Sequence, residues 1–209
     1  MNNFIEVPAT KLSLAGRKLL YGKGNNDASY LVNSIVEGRR IRCPYYRKWD
    51  SMLTRCYSKN FHSKYPTYGD CFVCEEWLLF SNFKKWMKTQ DWEDKHLDKD
   101  LISTGNKEYR PDTCMFIDKD VNTLMNNSGA RRGKYPQGVT YVRKSGNFKA
   151  RTHFKGKIIS IGTFKSCKDA ENAYLDRKFE IVRIIAKEYI SKDVRVYKTL
   201  INIADNRIL

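Results

Sequence analysis

Apolar residues recur at helical spacing in two stretches of the central part of the chain. The first runs from Pro44 to Tyr57, and its proline suits the first turn of a helix. The second, CEEWLLFSNFKKWM from Cys74 to Met87, carries aromatic residues three positions apart along one face. A stripe of this kind is usually core, and we interpret it as core rather than as a base-stacking surface. After it, residues 97–122 break into strand, loop, strand and helix.

In the C-terminal third the apolar pattern changes to a period of two. The stretches VTYVR and FKARTHF flank the turn Lys144–Asn147, and a second turn, Lys155–Lys157, leads into IISIGTF. Ser166 is a helix-capping residue, and Asp169 follows three positions later. Since a small isolated sheet is marginal in water, the helix must cover one face of these strands. Its apolar positions fit that arrangement and are Ala170, Ala173, Tyr174, Phe179, Ile181, Val182 and Ile185.

Together these elements predict an α+β protein made of several parts. The central part is helical and ends in a small strand–loop–strand–helix motif, and the C-terminal part is a three-stranded antiparallel sheet packed on a helix. The predicted divisions are a basic N-terminal arm (1–43), the central unit (44–128), a linker (129–137), the sheet-and-helix unit (138–190) and a C-terminal extension (191–209).

The charge of the chain indicates what kind of partner the protein binds. The net charge is +16, from 39 Lys and Arg against 23 Asp and Glu. So large a surplus favours a polyanionic partner, because neutralising phosphates releases condensed counterions. A highly soluble basic protein without a specific partner has the same charge.

Location and cofactor class follow from what the chain lacks. No apolar run approaches the roughly 20 residues that cross a bilayer, so no membrane partner is expected. The first residues lack the order of a secretory signal, and six cysteines then indicate a reducing compartment, the cytosol or its nucleoid. No glycine-rich phosphate loop and no Ser/His/Asp arrangement appears, so no small organic cofactor is expected.

The basic residues concentrate on the predicted C-terminal sheet. Between Gly129 and Lys165 there are ten basic residues and no acidic one. Strand alternation in FKARTHF places Lys149, Arg151 and His153 on one face and leaves the other for the helix. Solvated faces usually mix both signs, whereas a sheet of two or three strands fits the major groove of DNA. The sequence therefore predicts double-stranded DNA as the partner.

Several short motifs of this region resemble the AP2 DNA-binding domain of plant and phage proteins. They are Gly138-Val139, Phe148–Ala150, Gly162–Phe164 and Ala170–Tyr174, within residues 135–185. The resemblance implies that the sheet contacts duplex DNA. One departure is Tyr141, where the plant proteins often carry arginine, so their target sequence does not transfer. The predicted DNA contacts, from the resemblance and the basic composition together, are Arg131, Arg132, Arg143, Lys144, Lys149, Arg151, His153 and Lys157.

The central motif resembles the HNH (His-Me finger) motif of phage-borne homing endonucleases, which often carry an AP2 domain downstream. The resemblance lies in the order LDKD, GNK, a turn with proline, an aromatic strand and an asparagine. It implies one Mg²⁺ or Mn²⁺ held against the scissile phosphate, with Asp98 and Asn122 as ligands and Asn106 orienting the loop, and the neighbouring carboxylate of Asp100 is a further predicted ligand. Between Asp91 and Asp120 there are nine acidic residues against five basic ones, which suits a hard cation.

A lysine, Lys99, stands where that family usually carries its histidine. A lysine base would need a strongly lowered pKa, but the carboxylates of Asp98 and Asp100 hold it charged, which favours a phosphate contact. By alternation His96 lies on the same face as these two carboxylates and is a candidate base. Alternatively the metal alone activates the water, or the carboxylates form only ion pairs with neighbouring basic side chains.

The cysteines allow a structural zinc site. Cys71 and Cys74 form a CxxC pair that Cys56 and Cys114 could complete, with His62 as another candidate. Buried, reduced cysteines without a metal explain the same pattern.

Two functions from different classes follow. One is a phage-type DNA endonuclease that hydrolyses phosphodiester bonds with a metal-activated water, in the host cytosol if the chain is phage-encoded. The other is a DNA-binding regulator that keeps a degenerate nuclease scaffold without catalysis. An RNA-binding protein would need stacking aromatics exposed on the sheet, whereas Phe148 and Phe154 are predicted to face inward.

Overall fold

In the computed structural model the described residues are 4–36, 38–125 and 133–208. The chain divides into two compact units, residues 1–117 and 118–209. The fold is mixed α+β with small sheets, as the apolar patterns predict. Within the described ranges, no helix combines the length and the apolar character of a membrane span.

Among its described residues, the first unit contains three sheets of two strands each together with several helices. In chain order, the first strand pairs with the second (antiparallel), the third with the fifth (parallel) and the fourth with the sixth (antiparallel). These elements are α1 (Lys11–Ala15), β1 (Asn33–Val36), β2 (Arg39–Arg42), α2 (Pro44–Tyr57), α3 (Lys59–Lys64), β3 (Phe72–Val73), α4 (Glu75–Leu78), α5 (Phe80–Lys88), β4 (His96–Asp98), β5 (Glu108–Tyr109) and β6 (Met115–Ile117).

The core of the first unit is rich in aromatic residues from α2, α4 and α5. The predicted helix from Pro44 to Tyr57 is confirmed with the same ends. Its Trp49 is fully buried, lies 5.4 Å from the ring of Phe80, and donates its indole N–H to the carbonyl of Trp77 at 2.6 Å. The aromatic stripe is therefore core, as predicted.

The predicted single helix from Cys74 to Met87 is wrong in one respect, because it is interrupted at Leu79. The backbone of Asn25 enters the break. Its N–H donates to the carbonyl of Leu78 at 2.7 Å, and its carbonyl accepts from the N–H of Phe80 at 3.0 Å. These non-local bonds replace helical ones, and no local pattern reveals them.

The N-terminal segment is part of the first unit and not the irregular arm that the sequence predicts. Ala28, Tyr30 and Val32 are buried in its core. The guanidinium of Arg17 donates to the carbonyls of Asn26 at 2.9 Å, Ala28 at 2.5 Å and Tyr30 at 2.8 Å. Burial and these bonds together hold the segment in place.

The described part of the second unit is a three-stranded antiparallel sheet, with its strands side by side in chain order and helices on one face. Ser166 caps the long helix by accepting from the N–H of Asp169 at 3.1 Å, as predicted. The core between sheet and helix contains Val139, Ala150 and Tyr174. The elements are α6 (Lys119–Met125), β7 (Val139–Val142), β8 (Asn147–Phe154), β9 (Lys157–Phe164), α7 (Cys167–Lys187) and α8 (Val194–Asp205).

The division between the units differs from the predicted one. It falls after Ile117, inside the predicted central unit, and residues 129–132 of the predicted linker (129–137) lie outside the described residues. Both α6 and α8 contact α7, so the predicted extension (191–209) belongs to the second unit. In α8, Val196 and Leu200 are buried, which gives this helix an apolar face against α7.

Gly138 fixes how the chain enters β7. Its φ is +78°, a conformation that strains residues with a side chain. A Cβ atom here would lie 2.1 Å from the ring of Tyr174 and 2.8 Å from the carbonyl oxygen of Arg151. Only glycine allows this strand to approach the helix so closely.

Candidate functional site

The middle strand of the second unit presents its basic side chains to solvent. Along β8, Lys149, Arg151 and His153 are exposed, whereas Ala150 and Thr152 are buried. This is the alternation that the sequence predicts for FKARTHF. The two faces of the strand therefore differ in character: one is cationic and the other belongs to the core.

The flanking strands place hydroxyl groups beside these cations. Across the sheet, Lys149 lies between Thr140 and Thr163, and Arg151 pairs with Ser160. His153 pairs with Ile158, whose side chain is 62% exposed. A register shift between Ala150 and Arg151 marks a bulge, a feature that increases local twist. We define these side chains as the basic face: Thr140, Lys149, Arg151, His153, Ile158, Ser160 and Thr163.

The sequence pattern did not single out the hydroxyl-bearing members of the basic face or Ile158. The same period of two, applied to IISIGTF, places Ser160 opposite the inward-facing positions and could have found it. Ile158, two positions before Ser160, follows from the same alternation, whereas Thr163 needed the cross-strand register, which the sequence alone does not give.

The other predicted DNA contacts fall around the edges of the sheet. Arg143 and Lys144 are exposed in the β7–β8 turn, and Lys157 is exposed at the start of β9. Arg131 and Arg132 lie outside the described residues.

Acidic residues of the second unit are confined to one part of it, whereas basic residues occur throughout. No acidic residue occurs from Gly133 to Lys165, and the acidic side chains of this unit lie on its helices and their ends. Several of those are already paired, as in Arg177 with Glu180 at 2.6 Å and Arg183 with Asp205 at 3.0 Å. The basic face therefore has a positive potential that no acidic neighbour on the strands offsets.

In the first unit, the acidic motif forms a loop between β4 and β6. Asp98 ends β4, and one of its carboxylate oxygens, Oδ1, accepts from the backbone N–H groups of Asp100 at 2.9 Å and Leu101 at 2.7 Å. Burial raises the pKa of Asp98, although these bonds act in the opposite direction. The carboxylate therefore stabilises the turn that begins the loop.

Lys99 is directed into the loop and is only 5% exposed. Its ammonium donates to the carboxylate of Asp100 at 2.6 Å and to the backbone carbonyl of Asn106. The ring centroid of Tyr109 lies 5.8 Å away. The ammonium thus fastens the loop internally, whereas the sequence predicts a phosphate contact at the surface.

Asn106 joins the two arms of the loop. Its two side-chain N–H groups donate to the carbonyls of Lys99 at 3.0 Å and Glu108 at 2.7 Å, and the hydroxyl of Thr113 at 3.3 Å shares one of these donors. Its carbonyl oxygen accepts from the N–H of Glu108 at 3.0 Å. Four hydrogen bonds from one side chain make Asn106 the principal crosslink of this loop.

The remaining members of the predicted nuclease site do not continue one face. His96 is exposed at the start of β4 and Asp98 is half-buried at its end, but the strand stops there. Asp100 lies beyond it, exposed and paired with Lys99, because the turn bonded to Asp98 ends the alternation. Asn122 lies on α6, in the second unit.

The predicted divalent-cation site combines two carboxylates with the amide of Asn122. Nowhere in ranges 4–36, 38–125 and 133–208 do three or more His, Cys, Asp or Glu side chains come together as metal ligands. The carboxylates of Asp98 and Asp100 instead accept bonds from the loop itself. Mg²⁺ or Mn²⁺ binding stays a prediction.

The same finding applies to the predicted zinc ligands. Cys56, Cys71 and Cys114 are buried, Cys74 is half-buried, and all four are free thiols. Burial raises the pKa of Cys56 and of Cys114 to about 12, which keeps these two thiols protonated at neutral pH. Zn²⁺ binding at these cysteines stays a prediction, as does the alternative of reduced core cysteines without a metal.

Comparison of the chain with protein-family models, with curated proteins and with solved structures finds no match. A functional interpretation therefore rests on the geometry of the basic face and of the central loop.

Proposed function

We propose that the protein binds double-stranded DNA through the basic face of the second unit. The observation that carries this proposal is the exposure of Lys149, Arg151 and His153 on one side of β8, in a stretch without acidic residues. A protein that only needed solubility would gain nothing from keeping acidic residues off one sheet. Phosphate backbones supply the opposite charge at the right density.

The basic face also offers the chemical groups that DNA recognition uses. Arginine and lysine pair with phosphates and with guanine edges, serine and threonine hydroxyls donate to phosphates, and an apolar group can contact a thymine methyl. Neighbouring strands of the basic face supply all three groups: the cation of Arg151, the hydroxyl of Ser160 and the apolar side chain of Ile158. An AP2-like mode of binding, with the sheet against duplex DNA, accounts for this combination.

The test is the salt dependence of duplex binding by the full chain, measured by fluorescence anisotropy. A double variant, Lys149→Gln with Arg151→Gln, should bind more weakly and lower the slope of log K against log salt by about 0.9 for each phosphate that the variant no longer neutralises. The matched control is Lys187→Gln with Lys198→Gln, which removes the same charge from exposed positions of α7 and α8. An equal fall in affinity for both variants would show that net charge, and not the basic face, binds DNA.

We also propose that the central loop is a structural scaffold rather than a cutting site, which favours the regulator over the endonuclease. Asp98, Lys99 and Asn106, which the resemblance makes functional, all bond within the loop. Supercoiled plasmid incubated with Mg²⁺ or Mn²⁺ should therefore stay intact while the protein binds it. Cleavage by the unmodified chain that is lost in Asp98→Asn would establish the endonuclease instead.

A further inference from the structure

A cleft of about 570 Å³ lies against the edge strand of the second unit. It lies along β7, the outer strand of the sheet beside β8, and its wall includes the side chains of Lys134, Tyr135, Tyr141 and Arg143. The cleft borders the basic face, with which it shares Thr140, but extends beyond it, because Tyr141 pairs across the strands with the core-facing residue Phe148. The volume falls within the range of about 300–1,000 Å³ that is usual for small-molecule sites.

Two aromatic rings in the wall of the cleft, Tyr135 and Tyr141, pack against each other and against a third ring, Phe148. The centroids of Tyr135 and Tyr141 are 6.0 Å apart with 32° between the ring planes. Phe148 packs against both, at 5.6 Å from Tyr135 and 5.1 Å from Tyr141. Even so, Tyr141 remains 37% exposed. The cluster is therefore a rigid platform with one ring still open to solvent, and that ring loses little conformational entropy when it contacts a ligand.

The charges around the platform are positive. Lys134 and Arg143 are both exposed, and the stretch that contains them has no acidic residue. An aromatic surface beside cations suits a planar ring attached to a phosphate, since the ring stacks while the cations bind the anion. A purely apolar ligand would have no use for the two cations.

We infer that this cleft receives an unpaired base of a DNA strand, stacked on Tyr141, with Lys134 and Arg143 at the neighbouring phosphates. The inference rests on the proposed function, because the DNA bound by the basic face brings a strand to the same sheet. The protein would then prefer DNA that has a single-stranded end, a bulge or a mismatch. A peptide strand added to the edge of β7 would use backbone pairing and leave the cations without partners.

The test compares two DNAs with the full-length protein: a blunt duplex, and the same duplex with a short single-stranded extension that contains 2-aminopurine. The measured quantities are the ratio of the two Kd values and the 2-aminopurine fluorescence, which falls when the base stacks. The unmodified chain should bind the extended DNA at least about fivefold more tightly, the lower end of what one stacked base contributes, and quench the fluorescence. In Tyr141→Ala the ratio should approach one and the quenching should be lost.

Tyr141→Phe is the matched control, because it keeps the ring and should keep both the ratio and the quenching. Circular dichroism and thermal melting establish that each variant is folded. A ratio near one in the unmodified chain, with the blunt duplex still bound, would overturn this inference and leave the proposed function intact. Absence of duplex binding would refute the proposed function itself. A preference or a quench that survives in folded Tyr141→Ala would also overturn the inference.

Discussion

Replacing Asn106 with alanine should destabilise the first unit more than its position in a surface loop suggests. The substitution removes four hydrogen bonds, three of them between 2.7 and 3.0 Å, and leaves the carbonyls of Lys99 and Glu108 without that partner. At about 0.5–1.5 kcal/mol net for each bond, the three short ones alone are worth about 3 kcal/mol. Because the site is only half-buried, water forms some of the lost hydrogen bonds, and the free energy of unfolding should fall by about 2 kcal/mol.

Tryptophan fluorescence measures this loss selectively. All four tryptophans, Trp49, Trp77, Trp86 and Trp92, lie in the first unit, so their emission follows its unfolding and not that of the second unit. With a urea m value of about 1–3 kcal/mol per molar, the midpoint should fall by about 1 M.

The matched control is Asn82→Ala, which removes a single exposed hydrogen bond, from the side chain of Asn82 to the carbonyl of Glu76 at 3.0 Å. Its midpoint should change by less than half as much. If Asn106→Ala lowers the midpoint no further than Asn82→Ala, the loop is not held together in the way described.

Two further predictions concern a buried charge and a glycine. The folded-state pKa of Asp98 is raised by burial, so this carboxyl contributes stability below its unfolded value of about 4 and loses it as pH rises through the folded pKa. Asp98→Asn, which keeps an oxygen acceptor, should therefore have the same urea midpoint of unfolding as the unmodified chain near pH 3 and a higher midpoint at pH 7. Equal midpoints at both pH values would contradict the burial argument. Gly138→Ala places a Cβ against Tyr174 at φ +78° and should lower the melting temperature of the second unit, seen by circular dichroism, through at least about 1–3 kcal/mol of strain. Duplex affinity should fall with it, whereas Gly156→Ala, at φ +73° but with open space, should melt higher than Gly138→Ala.

Local patterns in the sequence were sufficient to predict the helices and strands that bury one continuous face. The helix from Pro44 to Tyr57 has apolar residues at every turn, and β8 alternates strictly, so both follow from periodicity. The cap at Ser166 follows because capping uses a residue only three positions away.

The features that escaped prediction depend on contacts between distant residues. The break at Leu79 arises because Asn25 inserts its backbone there, and the N-terminal segment is fixed by bonds to Arg17. The central loop follows the same rule. Its motif residues can be recognised from the sequence, but whether Lys99 faces solvent or the loop depends on where Asn106 lies after folding. Sequence spacing identified the residues of the motif, and only the folded loop shows how they are used.

The guanidinium of Arg17 has a practical consequence for dividing this protein into fragments. A fragment that starts at Pro44, the natural choice from the apolar pattern, would lack that side chain together with the three carbonyls it binds and would uncover the core beneath Tyr30. Such a piece should be insoluble or unfolded when expressed. Failure of this fragment to fold would not show that residues after Pro44 are unable to form their elements. It would show that the residues before Pro44 are part of the first unit.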